Sequence, residues 1–267
     1  MGEDIAFVLA TSILALITSF KVLSFREKEQ VEQNKKMAQM LIDLQEKNDE
    51  ITLSFETMIF GLTNAMELRD QETNGHSQRV SRMTSYLARK YYHFTEEELK
   101  NIYYGALLHD IGKLGIPDSV LLKPGRLSLS ERAIIEKHPV YAKEWLSKSQ
   151  RTIAVQTIPY THHERWDGRG YPQGLKGTSI PQESRLFTVI DCADAIGSQR
   201  PYHQPLPPDE VYAWLEENSG LMFSPDIVKL FIQEDMLRRQ DLIGDYYVKN
   251  EQAISLVSAF KEVKYAR

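Results

Sequence analysis

The chain has 267 residues, of which 42% are hydrophobic and 26% are charged, and this suits one sizeable folded domain with appended segments. A net charge of −5 argues against broad electrostatic binding to a polyanion, so no DNA or RNA binding is expected. The single cysteine, Cys192, excludes an intramolecular disulfide and fits a reducing compartment.

The N-terminal segment predicts a membrane helix. Residues 5–20 carry no charge, and continuing to Phe25 gives a helix long enough to cross a hydrocarbon core of about 30 Å. Acidic residues precede this span and basic residues follow it, so the positive-inside rule places the rest of the chain in the cytoplasm. We expect residues 1–25 to be a single-pass anchor; a buried or interfacial apolar helix is the alternative.

Residues 26–54 predict a helical linker. Met37, Leu44, Ile51 and Met58 recur every seven residues, which is typical of a short coiled coil, although polar residues interrupt the second apolar series. We therefore expect two chains to pair as a homodimer. A single amphipathic helix that packs on its own domain is the alternative.

The rest of the chain predicts an all-α bundle, because apolar residues recur at intervals of three and four and alternating β patterns are scarce. The predicted helices cover 79–92, 96–112, 129–148, 151–163, 183–197, 208–217 and 224–240. A Gly- and Pro-rich loop over 167–181 is long enough to be functional. We expect a catalytic domain over 55–235 and a C-terminal helical extension of unknown role over 236–267.

Five of the seven histidines form an ordered series with acidic residues. Imidazole and carboxylate groups suit Fe, Mn or Zn, and eight such groups are too many for one ion. Two or three ions are therefore indicated, and with them hydrolysis of a phosphate ester. The candidate ligands are Glu72, His76, His109, Asp110, His138, His162, His163 and Asp191.

Several motif blocks surround these ligands. They are NGHSQRV at 74–80, LLHDIGKLGIPD at 107–118, EKHP at 136–139, HHERWDGRGYP at 162–172, and the aspartate and arginine blocks around 191–202. On these blocks the chain resembles the HD-GYP family, a group of HD-domain metal phosphohydrolases that degrade cyclic di-GMP. The resemblance covers about residues 55–235 and implies an HD-domain helical bundle. It also implies seven metal ligands: His76, His109, Asp110, His138, His162, His163 and Asp191.

Glu72 bears on the number of metals. It lies four residues before His76, so the two side chains share one face if the segment is helical. Members with an acidic residue there resemble the subgroup with three metals, and we therefore expect three divalent transition-metal ions rather than two, with Fe or Mn as the metal. The alternative is that Glu72 only hydrogen-bonds a ligating histidine.

The resemblance implies further roles around the metals. Asp110 would be catalytic and shared by two ions, and Lys113 would reach a phosphate oxygen or assist the leaving group, with a structural salt bridge as the alternative. Asp194 would orient a ligand or pair with Arg200. The implied substrate-binding residues are Lys113, Tyr171, Arg200 and His203. His203 stands where the family usually has Arg or Lys, which weakens this last assignment.

The implied reaction is hydrolysis of cyclic di-GMP to pGpG, with GMP after a second cut, by in-line attack of a metal-bridging hydroxide. The implied setting is a bacterial inner membrane with the catalytic domain in the cytoplasm. A diguanylate cyclase of the GGDEF type would contact the loop that contains Gly170, Tyr171 and Pro172. Two alternatives stay open: a catalytically weak receptor or docking module, and an HD hydrolase acting on another cyclic dinucleotide such as 3′,3′-cyclic GMP-AMP.

Overall fold

The structure is a computed structural model that describes residues 2–70, 75–198 and 204–238. These residues form helices and no strands, which confirms the all-α prediction. The α-helices are α1 (Gly2–Asp70), α2 (His76–Tyr91), α3 (Glu96–Leu107), α4 (Asp118–Leu121), α5 (Leu129–Ile135), α6 (His138–Leu146), α7 (Gln150–Ile153), α8 (Thr157–Thr161), α9 (Gln182–Gly197), α10 (Pro208–Glu217) and α11 (Pro225–Gln233). Two 3₁₀ helices cover Ile111–Gly115 and Gly177–Ser179.

The chain divides into two compact units, Met1–Glu56 and Thr57–Arg267. In the first unit α1 exposes apolar side chains such as Phe20, Leu44 and Ile51. By its length and composition, this helix could cross a membrane, since an 18-residue window near its N-terminus reaches a mean hydropathy of 1.4. Membrane insertion and the pairing of two chains stay predictions.

The core of the second unit forms where α2 packs against α3 and α9, and where α9 packs against α10 and α11. On α2 the residues Val80, Met83 and Leu87 are fully buried, because their spacing of three and four places them on one face of the helix. Phe187 and Ile190 of α9 meet this face. Cys192 is partly buried against the same core, as expected for a small apolar group.

Helix α3 begins with a capping box. The Thr95 hydroxyl accepts the Glu98 N–H at 3.2 Å, and the Glu98 carboxylate accepts the Thr95 N–H at 2.7 Å. The helix ends at Leu107, and residues 108–110 form a turn before the 3₁₀ helix Ile111–Gly115. The prediction of one helix over 96–112 was therefore wrong at its C-terminal end.

Three other helix predictions were wrong in their bounds. The segment 129–148 divides into α5 and α6, because residues 136 and 137 form a turn and Pro139 lies in the first turn of a new helix. The segment 151–163 divides into α7 and α8 around residues 154–156. Helix α11 ends at Gln233 rather than at 240, and Asp235, two residues further on, adopts a left-handed φ of 49°. The expected C-terminal extension lies outside the described residues from position 239 onward.

Candidate metal centre

Seven of the eight predicted ligands lie together in the second unit, in two clusters. Within each cluster the ligand atoms are all within 4.8 Å of one another. The four-residue cluster contains Asp110, His138, His162 and His163, and the three-residue cluster contains His76, His109 and Asp191. Each cluster could hold a metal ion, because imidazole nitrogens and carboxylate oxygens are suitable ligands for divalent transition metals.

Helix ends position most of these side chains. His76 is the first residue of α2, His138 is the first residue of α6, and His162 and His163 directly follow α8. His109 lies in the turn after α3. A side chain at a helix end can point toward a neighbouring element rather than along its own helix. Residues at or next to helix ends thus bring these histidine side chains into the two clusters.

The carboxylate of Asp110 connects the two clusters. Its Oδ2 lies 3.1 Å from His109 Nε2, a member of the other cluster. Its Oδ1 lies 3.4 Å from His138 Nε2 and 3.9 Å from His162 Nε2. Asp110 is thus the residue that is placed to share its two oxygens between neighbouring ions.

Backbone carbonyls fix the orientation of three histidine rings. Nδ1 of His109, His138 and His162 lies 2.9, 2.9 and 3.1 Å from the carbonyl oxygens of residues 106, 135 and 158. A carbonyl can only accept, so Nδ1 must carry the proton in each ring. In a neutral imidazole this leaves Nε2 with its lone pair, directed at the cluster, which is the arrangement that a metal ligand needs. A protonated His109 ring would first release its Nε2 proton.

His76 is oriented by a carboxylate instead. Its Nδ1 lies 2.7 Å from Asp194 Oδ2, and its Nε2 lies 3.0 Å from Asp191 Oδ1. The Arg79 guanidinium donates to both oxygens of Asp194, at 2.8 Å each, and so balances the charge of a carboxylate that is 1% exposed. Of the two roles expected for Asp194, the structure shows the contact with a candidate ligand; the other partner, Arg200, lies outside the described residues.

Burial sets the protonation state of the four-residue cluster. It lowers the pKa of His138, His162 and His163, with the pKa of His163 falling to about 3. These three imidazoles are therefore neutral at physiological pH. Metal coordination requires this neutral form, so no proton has to be displaced from them on binding.

The charged members show that this interior attracts cations. Burial raises the pKa of Asp110, but the Lys113 and His109 cations outweigh burial and hold it well below its ordinary value. Burial lowers the pKa of His109, but Asp110 and Asp191 outweigh it and raise the pKa to about 9. The carboxylates thus favour positive charge among the ligands, and the same electrostatic field would stabilise a divalent ion.

The comparisons with known proteins agree with this geometry. A family model described as an HD domain matches residues 62–227, a range that contains both clusters. The chain belongs to the HD domain family.

Three curated relatives illustrate what this HD-domain protein is similar to. It is 38% identical over 73% of its length to a 3′3′-cGAMP-specific phosphodiesterase 2 of Vibrio cholerae. It is 36% identical over 77% of its length to a cyclic di-GMP phosphodiesterase of Thermotoga maritima. It is 42% identical over 64% of its length to the cyclic di-GMP phosphodiesterase response regulator RpfG of Xanthomonas campestris. The chain spans 36%, 59% and 46% of these relatives, respectively.

Lys113 lies at the edge of the candidate metal centre and pairs with two carboxylates. Its Nζ lies 2.6 Å from Asp110 Oδ2 and 3.0 Å from Asp70 Oδ2. The side chain of Lys113 is 15% exposed and that of Asp70 is 4% exposed. Asp70 was not predicted as a site residue. Its only signal in the sequence was its place four residues before the first motif block, and in the structure it is the last residue of α1.

The loop that contains Gly170 and Tyr171 also contacts the centre. Tyr171 stacks on His163 with ring centroids 4.7 Å apart and an interplanar angle of 27°. Gly170 lets the backbone of the loop pass close to the backbone of residue 165, since a Cβ at position 170 would lie 2.3 Å from the Arg165 nitrogen. Glu164 is buried, and its carboxylate accepts hydrogen bonds from the N–H groups of Gln173 and Leu175. These bonds connect the two ends of the loop. Glu164 was not predicted as a site residue.

The same loop is anchored to the C-terminal part of the domain. The N–H of Trp166 donates to the Met222 carbonyl at 3.1 Å, and that of Asp167 donates to the Leu221 carbonyl at 2.8 Å. These bonds fix the segment that leads from His163 to Tyr171. Three expected site residues, Glu72, Arg200 and His203, lie outside the described residues, and their roles stay predictions.

Proposed function

We propose that this chain is a metal-dependent phosphodiesterase that hydrolyses cyclic di-GMP to the linear dinucleotide pGpG. The observation that carries the proposal is the pair of clusters joined by the Asp110 carboxylate, with Lys113 beside it. Two adjacent divalent ions suit hydrolysis of a phosphodiester, which is one of the reactions that such sites perform. The printed names of the Thermotoga and Xanthomonas relatives support cyclic di-GMP as the substrate.

We assign the seven clustered residues as the metal ligands, with Fe or Mn as the native metal and Glu72 as the ligand of a third ion. When bound, such ions activate water and neutralise phosphate oxygens. Asp110 would keep two of them at a fixed separation, because its two oxygens face different clusters. Asp194 would keep the His76 ring in the orientation that presents Nε2.

Two further residues would act on the substrate. The Lys113 ammonium lies 2.6 Å from the Asp110 carboxylate and therefore next to the proposed ions. From there it can donate to a phosphate oxygen or give a proton to the leaving ribose oxygen. Burial raises the pKa of Tyr171, so its phenol stays protonated and can donate a hydrogen bond. We assign Arg200 and His203, with Lys113 and Tyr171, to substrate binding.

A second candidate substrate is 3′,3′-cyclic GMP-AMP. The Vibrio relative at 38% identity is named as a phosphodiesterase specific for that compound, and the two substrates share the same backbone of two phosphodiesters. The metal centre described above acts on the phosphodiester, so it suits either substrate. Selectivity would depend on groups that contact the bases.

We also propose the setting in which this activity operates. The apolar start of α1 would be a single-pass anchor over residues 1–25 in a bacterial inner membrane, with the catalytic domain in the cytoplasm. Residues 26–54 would pair two chains, and residues 55–235 would form the catalytic domain. The loop with Gly170, Tyr171 and Pro172 would contact a GGDEF-type diguanylate cyclase.

The test is turnover by the full chain, purified anaerobically in detergent and supplied with Fe²⁺ or Mn²⁺. Cyclic di-GMP and 3′,3′-cyclic GMP-AMP are assayed side by side, and the products are separated by chromatography. Conversion of cyclic di-GMP to pGpG supports the proposal, and faster turnover of the mixed dinucleotide supports the second candidate. Tight binding of cyclic di-GMP without turnover of either compound would instead make the chain a receptor.

A further inference from the structure

Helix α2 begins without a cap of its own, although its first residue is the candidate ligand His76. The residue before it, Gly75, has a left-handed φ of 75° and no side chain that could accept a hydrogen bond. The first turn of α2 also lacks an acidic residue. A helix N-terminus leaves its first N–H groups without partners within the helix, so these groups need acceptors from elsewhere.

The acceptor is supplied by Glu67, which lies in the last turns of α1. Its Oε2 accepts the Gly75 N–H at 3.0 Å, and its Oε1 accepts the Ser77 N–H at 2.9 Å. Both oxygens are thus used, one on each side of His76. Glu67 is 7% exposed, so these bonds form where water does not compete freely for the N–H groups.

We propose that Glu67 is a positioning residue for His76, which rests on the metal-dependent function proposed above. The carboxylate holds the backbone on both sides of His76, while Asp194 holds the ring at Nδ1. Together they fix where Nε2 lies relative to Asp191 and His109. Glu67 itself contributes no atom to either cluster in the described residues, so it acts only through His76.

The chemistry of the side chain makes the proposal testable. Glutamine has nearly the same shape as glutamate, but it offers one acceptor oxygen, and its other terminal group is an NH₂ donor. In Glu67→Gln one of the two backbone N–H groups must therefore face a donor. A matched control is Glu98→Gln, since Glu98 also caps a helix by accepting a backbone N–H, at the start of α3, but lies on an exposed surface.

The experiment measures Mn²⁺ binding to the full chain by equilibrium dialysis followed by elemental analysis. In Glu67→Gln we expect the loss of about one ion per chain, or a 10- to 100-fold weaker affinity for one ion, as for other residues that orient ligands. The ions held by the four-residue cluster should keep their affinity. In Glu98→Gln all ions should bind as in the wild type.

Four outcomes would overturn the inference. Unchanged binding in Glu67→Gln contradicts it directly, and equal losses in both variants mean that helix capping acts only through general stability. A wild-type chain that binds no ions contradicts the proposed function first, and the inference falls with it. If Glu67→Gln does not fold, amide exchange in the wild type is measured instead: slow exchange at Gly75 and Ser77 supports the hydrogen bonds, and exchange at the rate of an open loop overturns them.

Discussion

Lys113 forms an ion pair with the same carboxylate oxygen of Asp110 that faces His109. The Lys113 Nζ lies 2.6 Å and the His109 Nε2 lies 3.1 Å from Asp110 Oδ2. A carboxylate that is 13% exposed keeps its charge because it is paired with cationic groups. The carboxylate of Asp110 and the ammonium of Lys113 therefore form one ion pair. Because only Asp110 is a candidate metal ligand, we expect the substitutions of the two residues to differ in their effects on metal binding and on kcat.

Replacing Asp110 tests the catalytic assignment. Asp110→Asn preserves the size of the side chain but removes the negative charge that faces both clusters. We expect turnover of cyclic di-GMP to fall by about a thousandfold or more, because charge in the water-excluded site is lost. Steady-state kinetics and elemental analysis measure the effect, and Asp209→Asn on the exposed start of α10 is the control. Substantial residual turnover would show that Asp110 is not catalytic.

Replacing Lys113 separates its catalytic role from a structural one. In Lys113→Met we expect kcat to fall by about 100- to 1000-fold, as for other groups that stabilise a transition state, while the number of bound ions is unchanged. Lys123→Met is the control, since Lys123 also pairs with a carboxylate, that of Glu131 at 2.7 Å. A variant that is less stable but has normal kcat would identify the Lys113 contacts as a purely structural salt bridge.

Glu72 determines how many ions are expected. In Glu72→Ala the metal-to-protein ratio should fall by about one if its carboxylate ligates a third ion. Elemental analysis of anaerobically purified protein measures this ratio, with the wild type prepared in parallel. An unchanged ratio would limit Glu72 to a hydrogen bond with a ligating histidine.

Gly112 tests how tightly the 3₁₀ helix after Asp110 packs on α6. A Cβ at Gly112 would lie 1.8 Å from the His138 carbonyl oxygen and 2.7 Å from the Ala142 nitrogen, so backbone would have to move. We expect Gly112→Ala to lower the free energy of unfolding by about 3 kcal/mol or more. Urea denaturation followed by circular dichroism measures it.

Gly61 provides the matched control for that substitution. It lies within α1, and a Cβ there would meet nothing within 4 Å. Gly61→Ala should raise the free energy of unfolding by about 0.5–1 kcal/mol, because alanine loses less backbone entropy in a helix. Equal effects of the two substitutions would contradict the close packing at Gly112.

Glu234 predicts a pH dependence of stability. Hydrogen bonds from Lys90, Tyr91 and Tyr86 lower its pKa from 4.5 to about 2 in the folded protein. Because the folded pKa is the lower one, the carboxylate stabilises the fold fully above about pH 4.5, and this contribution is lost as the pH falls toward 2. The stability difference between wild type and Glu234→Gln should therefore be constant from pH 6 to 8 and shrink from pH 5 to 2.

Denaturant unfolding at several pH values measures this difference, with Glu216→Gln on the exposed face of α10 as the control. A difference between wild type and Glu234→Gln that grows as the pH falls would have the wrong sign. It would show that the three hydrogen bonds do not favour the ionised carboxylate.

The sequence was sufficient to predict the class of fold and the seven residues that the structure brings together in two clusters. Helical periodicity and capping depend on residues within a few positions of each other, so α2, α9 and α10 lie close to their predicted positions. The sequence did not predict the turns that divide α5 from α6 and α7 from α8. In both cases an apolar pattern continues across a turn, and periodicity alone does not reveal where the helix axis changes direction.

The partition of the ligands into clusters depended on long-range packing. His109 and Asp110 are adjacent in the chain but fall in different clusters, while His76 shares a cluster with Asp191 of a distant helix. The two side chains still touch, with Asp110 Oδ2 3.1 Å from His109 Nε2, and each completes its cluster with residues from other helices. No sequence spacing contains that information.

The residues that support the ligands were hidden for the same reason. Glu67, Asp70, Arg79 and Glu164 are ordinary charged residues in the sequence, and a charged residue is usually exposed. They differ from others because packing places them, fully or partly buried, against backbone N–H groups or opposite charges. The chemistry that each residue offers is a local property of its side chain, whereas the partner it meets depends on how distant helices pack, and only the folded molecule defines that.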